Sequence, residues 1–224
     1  MHQWPVPQQF SRYPIVLPIQ HTRPRSRGPA GTGVGWTRNL SEGGACVELA
    51  EHLRRQLILH LRIRTAHGAI EADARVIWHQ ELPEDGHLIL HGVVFTHLAP
   101  DQRQALRELL LAQQQEHRGG HRLPAALVVT CRVTGEYGPP FRGRTGNLSR
   151  GGLLLRLSQT LPPGTGVELT LHAPRGSITA EGQVAWVDPE FRQSFGDPIR
   201  HGVHFTSLGW AASLSLAEFL AEGA

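Results

Sequence analysis

Asn39-Leu40-Ser41-Glu42-Gly43-Gly44 in the first half of the chain and Asn147-Leu148-Ser149-Arg150-Gly151-Gly152 in the second set the reading of everything between and around them. Asn39 and Asn147 are the only asparagines among 224 residues, so a composition that otherwise dispenses with Asn keeps it at these two places. Working outward, further matches follow in one order. Arg12-Tyr13-Pro14 precedes the first turn as Arg122-Leu123-Pro124 precedes the second. Ala74-Arg75-Val76-Ile77-Trp78 follows the first as Gly182-Gln183-Val184-Ala185-Trp186 follows the second. His91-Gly92-Val93-Val94-Phe95-Thr96 and His201-Gly202-Val203-His204-Phe205-Thr206 close the series. The offset is 110 (122−12), then 108 (147−39 and 186−78), then 110 again (202−92). Constant order with small changes in spacing between motifs is what duplication of one domain leaves behind.

Within each copy, short runs rich in Val, Ile, Leu and Thr are separated by Gly, Pro and charged turns, the pattern of strands. Strands are expected near 14–20, 33–38, 44–49, 56–64, 69–79 and 88–97, and again near 124–134, 141–146, 152–157, 166–173, 176–187 and 200–207. Six short strands suit a small closed barrel, which leaves no sheet edge exposed. Each copy then ends in a helix. The first is capped by Asp101 and runs to Gln115 with Leu106, Leu109 and Leu110 on one face; the second runs from Trp210 to Leu220. The fold class is therefore all-β with flanking helices, two six-stranded barrels in tandem, with domains at 1–116 and 117–224. The segment from Gln113 to Gly120, with its paired glycines, is the expected hinge.

Composition narrows the function. At 40% hydrophobic and 18% charged residues the chain has the make-up of a globular protein. No stretch has the ~18 apolar residues of a membrane span, and Met1-His2-Gln3-Trp4-Pro5 lacks the basic and apolar regions of a secretory signal, so a cytoplasmic location is expected. Cys46 and Cys131 fall in apolar strand-like runs at non-equivalent positions of the two copies, as buried thiols do. All 22 basic residues are Arg, which makes arginine content a matter of composition and leaves only arginine placement informative. Fourteen histidines occur without metal-ligand spacing, and no Walker, nucleophile-elbow or triad pattern is present, so no metal, cofactor or enzymatic activity is expected.

Chemistry is concentrated in two places. Asn and Ser two apart on an extended segment share a face and can serve one ligand, while the Gly three beyond Ser permits either a positive φ or close approach of another group. Before the second copy, Arg118-Gly119-Gly120-His121-Arg122 offers two guanidiniums four apart, each a planar fork suited to phosphate oxygens or the O6/N7 edge of guanine. Arg122 stands 25 residues (147−122) before the Asn of the turn.

An R-x-x-x-R arm, a first strand and then [D/N]-x-S-x-x-G resembles the PilZ domain, the bacterial receptor module for cyclic di-GMP. The resemblance covers both halves nearly end to end, including the Val-x-Trp and Gly-Val-x-Phe strands. It implies a six-stranded barrel with a C-terminal helix and, in the second copy, a nucleotide held by Arg118, Arg122, Asn147, Ser149 and Gly152. The first copy has Arg12, Asn39, Ser41 and Gly44, but Gln8 stands four residues before Arg12 where the resemblance calls for Arg. Gln lacks the charge and the fork, so the first site is expected to be weak or vestigial. The expected protein is a non-enzymatic receptor whose second domain binds nucleotide and whose first meets a protein partner. The alternatives are an adaptor of the same fold that ignores nucleotide, and a single-stranded nucleic-acid barrel. The latter is disfavoured because aromatics are only 6% of residues and base stacking needs them, so no DNA or RNA partner is expected.

Overall fold

The computed structural model describes residues 10–23, 31–82, 87–115, 121–188 and 198–223. The chain divides into two compact units, Met1–Gly119 and Gly120–Ala224. In the first, β1 (Pro18–Thr22), β2 (Thr32–Ser41), β3 (Gly44–Leu49), β4 (Ile58–Thr65), β5 (Gly68–Glu81) and β6 (Ile89–His97) close an antiparallel barrel in the order β1-β2-β3-β6-β5-β4, followed by α1 (Pro100–Gln115). In the second, β7 (Leu123–Pro124) and β8 (Val128–Val133) are the two halves of one kinked first strand. After them come β9 (Phe141–Ser149), β10 (Gly152–Leu157), β11 (Gly166–Ala173), β12 (Gly176–Val187), β13 (Ile199–Ser207) and α2 (Trp210–Glu222). The sheet runs β10-β13-β12-β11-β8-β9-β7, and pairing of β10 with β9 closes the second six-stranded barrel.

Period-two alternation fills each barrel. Leu59, Leu61 and Ile63 of β4 and Ile70, Ala72, Ala74 and Val76 of β5 point inward, as do Leu153, Leu155 and Leu157 of β10. Leu106 and Leu110 of α1 join the first core, with Ala105 and Leu109 packed at its margin. Helix α1 begins at Pro100, whose missing N–H is no loss at the first helical position. Asp101 therefore lies inside the first turn instead of capping it, where its charge still faces the positive end of the helix dipole.

The expected single strand over 124–134 is interrupted at Ala125–Leu127. The Thr145 hydroxyl is inserted there, accepting from the Leu127 N–H at 2.9 Å and donating to the Ala125 carbonyl. Thr37 does the same in the first copy, accepting from Leu17 N–H at 2.8 Å and donating to the Ile15 carbonyl at 2.6 Å. Both threonines are buried, at 0% and 2% exposure for Thr37 and Thr145. A buried hydroxyl that satisfies both sides of the break is what lets the first strand kink inside a closed barrel.

A buried histidine ties a loop to each barrel. His91 Nδ1–H donates to the Ile89 carbonyl at 3.1 Å, and its Nε2 accepts from the Leu53 N–H at 3.1 Å. His201 repeats this with Ile199 and Leu161. Burial holds His91 down to about 4, and lowers His201 as well, so both rings are neutral and act as acceptors. Beside each ring, Trp78 and Trp186 lie across Gly92 and Gly202. A Cβ on these glycines would meet the indole Nε1 at 1.7 and 2.0 Å. The repeated His-Gly and Val-x-Trp motifs are thus one packing unit read from two strands.

Cys46 and Cys131 are free and buried, and burial raises each thiol to about 11. Among the described residues no helix is long and apolar enough to cross a membrane, and no cluster of three metal-ligating side chains occurs.

Candidate functional site

The motif is mostly strand. Asn147, Leu148 and Ser149 end β9, and the hairpin turn itself is only Arg150-Gly151, because Ser149 already pairs with Gly152. A bulge at Gly146 separates the Thr145↔Leu155 pair from Asn147↔Leu154, re-aiming the strand just before the motif. Leu148 is fully buried in the barrel, which turns Asn147 and Ser149 outward together. In the first copy Arg38 is the bulged residue and Leu40 the inward one, so Asn39 and Ser41 are likewise outward.

The hairpin is held from three directions. Ser149 Oγ donates to the Gly152 carbonyl at 3.2 Å, as Ser41 Oγ does to Gly44 at 3.0 Å. The Gly151 carbonyl accepts from Phe205 N–H at 2.9 Å and the Gly43 carbonyl from Phe95 N–H at 2.9 Å, so the Gly-Val-x-Phe strand latches the turn. Close approach of a facing strand requires glycine at 44 and 152. A Cβ there would lie 2.2 Å from the Val93 and Val203 carbonyl oxygens respectively.

The arm arrives in register. Leu123 pairs with Leu148 and Pro124 with Asn147, which puts Arg122 alongside Ser149 on the outer face. Arg122 is exposed. In the first copy the Tyr13–Leu40 bridge, with N–H···O bonds of 2.8 and 2.9 Å, sets Arg12 alongside Ser41 in the same way. Arg12 also acts on the buried Cys46 thiol, where its charge opposes the stronger effect of burial. The structure therefore brings Arg122, Asn147, Ser149 and Gly152 together, and Arg12, Asn39, Ser41 and Gly44 likewise. Arg118 and Gln8 lie outside the described residues.

The two sites differ where the sequence pattern is silent. Asn147 Oδ1 is buried with no hydrogen-bond partner among the described residues. At the turn, Glu42 of the first copy is bound by Arg107 of α1, Nε to Oε2 at 2.9 Å, while the second copy has Arg150. Phe10 lies over the first turn, where a Cβ on Gly43 would meet its ring at 2.7 Å. Phe10, Ser11, Tyr13, Glu42, Arg107, Leu110 and Leu111 together line a cleft of about 330 Å³. The first site thus carries an aromatic lid and a carboxylate, neither of which suits an anion.

Thr37 and Thr145 lie outside the N-x-S-x-x-G pattern, although Thr precedes the motif Asn by two residues in both copies. Repetition of T-x-N-L-S was the available signal.

The sequence model of the PilZ domain matches residues 7–112 and again 113–222, nearly the whole chain. The chain belongs to the PilZ family. As a tandem PilZ protein it is similar in fold to solved structures of low sequence identity. Bacillus subtilis inhibitor of motility MotI/DgrA is 11% identical with a TM-score of 0.39, over 93% of this chain and 95% of that one. Borreliella burgdorferi PlzA in complex with c-di-GMP is 12% identical with a TM-score of 0.39, over 91% and 88%. The PilZ domain of Escherichia coli YcgR with c-di-GMP is 16% identical with a TM-score of 0.40, over 50% of this chain and 95% of that one. No curated protein matches the chain significantly in sequence. Membership rests on the family model and on the motif residues, not on these likenesses.

Proposed function

We propose that this tandem PilZ protein is a non-enzymatic receptor for cyclic di-GMP, with the nucleotide bound by the second domain and the arm that precedes it. The observation that carries the reading is the register of Leu123 with Leu148. It sets the exposed fork of Arg122 beside Ser149 and beside Asn147, whose buried Oδ1 awaits a donor such as a guanine N–H. Arg118, four residues earlier on the arm, supplies the second fork of the pattern, and Gly152 lets β13 close under the hairpin. The first domain, with Gln8, the Glu42 carboxylate and the Phe10 ring at its turn, keeps Arg12, Asn39, Ser41 and Gly44 as a vestigial site and serves as the surface for a protein partner. Because Arg118 and Arg122 lie in or beside the segment that joins the domains, ordering that segment on the nucleotide shifts the population of domain arrangements, and that shift is the output. The proposed domains are 1–116 and 117–224, in a cytoplasmic protein with no DNA or RNA partner.

Isothermal titration of cyclic di-GMP into the full chain tests the site. Each charge-assisted hydrogen bond contributes roughly 1.5–3 kcal/mol, so Arg118→Ala and Arg122→Ala each lose about one to two decades of affinity. Undiminished affinity in both variants sinks the reading. Small-angle scattering with and without nucleotide tests the output, and superimposable profiles sink the switch.

A further inference from the structure

The second barrel carries a row of arginines that the motif does not include. Arg144 of β9 pairs in register with Arg156 of β10, and Arg156 with Arg200 of β13. All three are exposed. Like charges directly opposite one another destabilise a sheet ladder. Only Arg200 is neutralised, its Nε lying 2.6 Å from Asp188 Oδ2; Arg144 and Arg156 have no ion pair among the described residues. The same row of the first barrel is Trp36, Glu48 and Leu90. Trp36 and Glu48 are each 1% exposed there, so the duplicated fold does not need cations at these positions.

The row abuts the motif. Arg144 is the outward residue of β9 just across the bulge from Asn147, and Leu154, opposite Asn147, is two residues before Arg156. Arg156 leans toward the site. Its Nε and Nη2 lie 3.2 and 3.3 Å from where a Cβ on Gly146 would stand, so the guanidinium covers the bare backbone immediately before Asn147. The first copy has Arg38 at the bulge and Glu48 in place of Arg156, paired with each other at 3.5 Å. Glycine at 146 removes the side chain that would occupy the position of the Arg156 fork.

We infer that Arg156, supported by Arg144, is a further ligand contact of the second domain that takes a phosphodiester or guanine edge of the cyclic dinucleotide on the β10 side of Asn147. The inference rests on the proposed nucleotide site, which holds the ligand from the arm side. A planar fork with no carboxylate partner, beside an unfilled acceptor, suits a group that presents both phosphate oxygens and a purine edge. A row of three arginines, one of them tied to Asp188, is short for the many phosphate contacts by which a protein tracks duplex DNA.

Titration of cyclic di-GMP into the full-length chain separates the possibilities. Arg156→Ala weakens binding by about 10- to 100-fold, and Arg156→Lys, which keeps charge but loses the fork, falls between it and wild type. Gly146→Arg, which restores the first copy's side chain, also weakens binding, while Arg200→Ala, already tied to Asp188, changes it less than about threefold. If Arg122→Ala loses affinity and Arg156→Ala does not, the row is no part of the site and the inference falls while the proposed function stands. If wild-type protein binds no cyclic di-GMP, both fall. Fluorescence anisotropy with labelled duplex DNA supplies the remaining arm: DNA affinity lost in Arg156→Ala with nucleotide affinity intact overturns the assignment in favour of a nucleic-acid surface. The melting temperature of each variant is measured alongside, and the inference requires that Arg156→Ala melt no more than about 2 °C below wild type, since truncation relieves two like-charge pairs.

Discussion

Replacing Thr145 by valine changes almost nothing in volume, removes one oxygen, and tests whether the first-strand kink is held by that hydroxyl. In the folded chain the oxygen accepts from the Leu127 N–H at 2.9 Å and donates to the Ala125 carbonyl. Valine leaves the Leu127 N–H without its side-chain acceptor in a buried position, which costs about 1–3 kcal/mol, and the lost donor to Ala125 adds about 1 kcal/mol. The sum is about 2–4 kcal/mol. At about 4–8 °C per kcal/mol for a domain of this size, the second domain's melting point falls by about 8 °C or more. Urea denaturation followed through amide resonances of each domain separates the domains, and Thr37→Val provides the mirror experiment, because its hydroxyl makes the same two bonds. Thr145→Ser keeps the oxygen and loses only a methyl, so it recovers more than half of the loss. A Thr145→Val protein within about 0.5 kcal/mol of wild type would refute the reasoning, since a buried N–H would then be unsatisfied at no cost. The kink also carries the arm to Ser149, so this variant binds cyclic di-GMP more weakly than Thr145→Ser.

Gly152→Ala drives a methyl to 2.2 Å from the Val203 carbonyl oxygen and destabilises the second domain by about 1–3 kcal/mol; thermal melting checks this, and an unchanged melt shows that β13 can yield. Gln56 has φ +66° where the second copy has Gly164 at φ +91°, so Gln56→Gly removes left-handed strain and stabilises the first domain by about 0.5–1 kcal/mol in urea titration; destabilisation contradicts it. His91 is held near 4 against 6.5 when free, so its contribution is complete above pH 6.5 and is lost as pH falls toward 4. At pH 4.5 the loss is about 2–3 kcal/mol, and an NMR titration that finds the folded imidazole near 6.5 removes its basis. With both thiols raised to about 11, Cys46 and Cys131 stay unreactive toward a disulfide reagent at pH 8 until the chain unfolds; rapid native labelling of either rejects their burial.

Duplication, approximate strand and helix positions, and the shared face of Asn and Ser were all legible in the chain, because alternation and repeated motifs are properties of neighbours along the backbone. The Asn-Leu-Ser hexapeptides marked both hairpins, and Arg122 could be set beside the second by family pattern alone. Other features required the barrel to close. The reason for glycine at 44 and 152 is a carbonyl on another strand, 2.2 Å from a missing Cβ. The kink in the first strand depends on a threonine 18 residues away from Leu127, and Arg144, Arg156 and Arg200 are widely spaced in sequence yet form one row. Register across strands is fixed by which side chains fill the core and by where bulges fall, and neither is written in local spacing. The sequence by itself thus determined that there are two PilZ-like barrels and where the motif lies in each. Only closure of those barrels decided that the motif glycines answer to a facing carbonyl, that one turn meets Phe10 and Glu42, and that the other motif lies beside Arg144 and Arg156, two guanidiniums with no ion pair among the described residues.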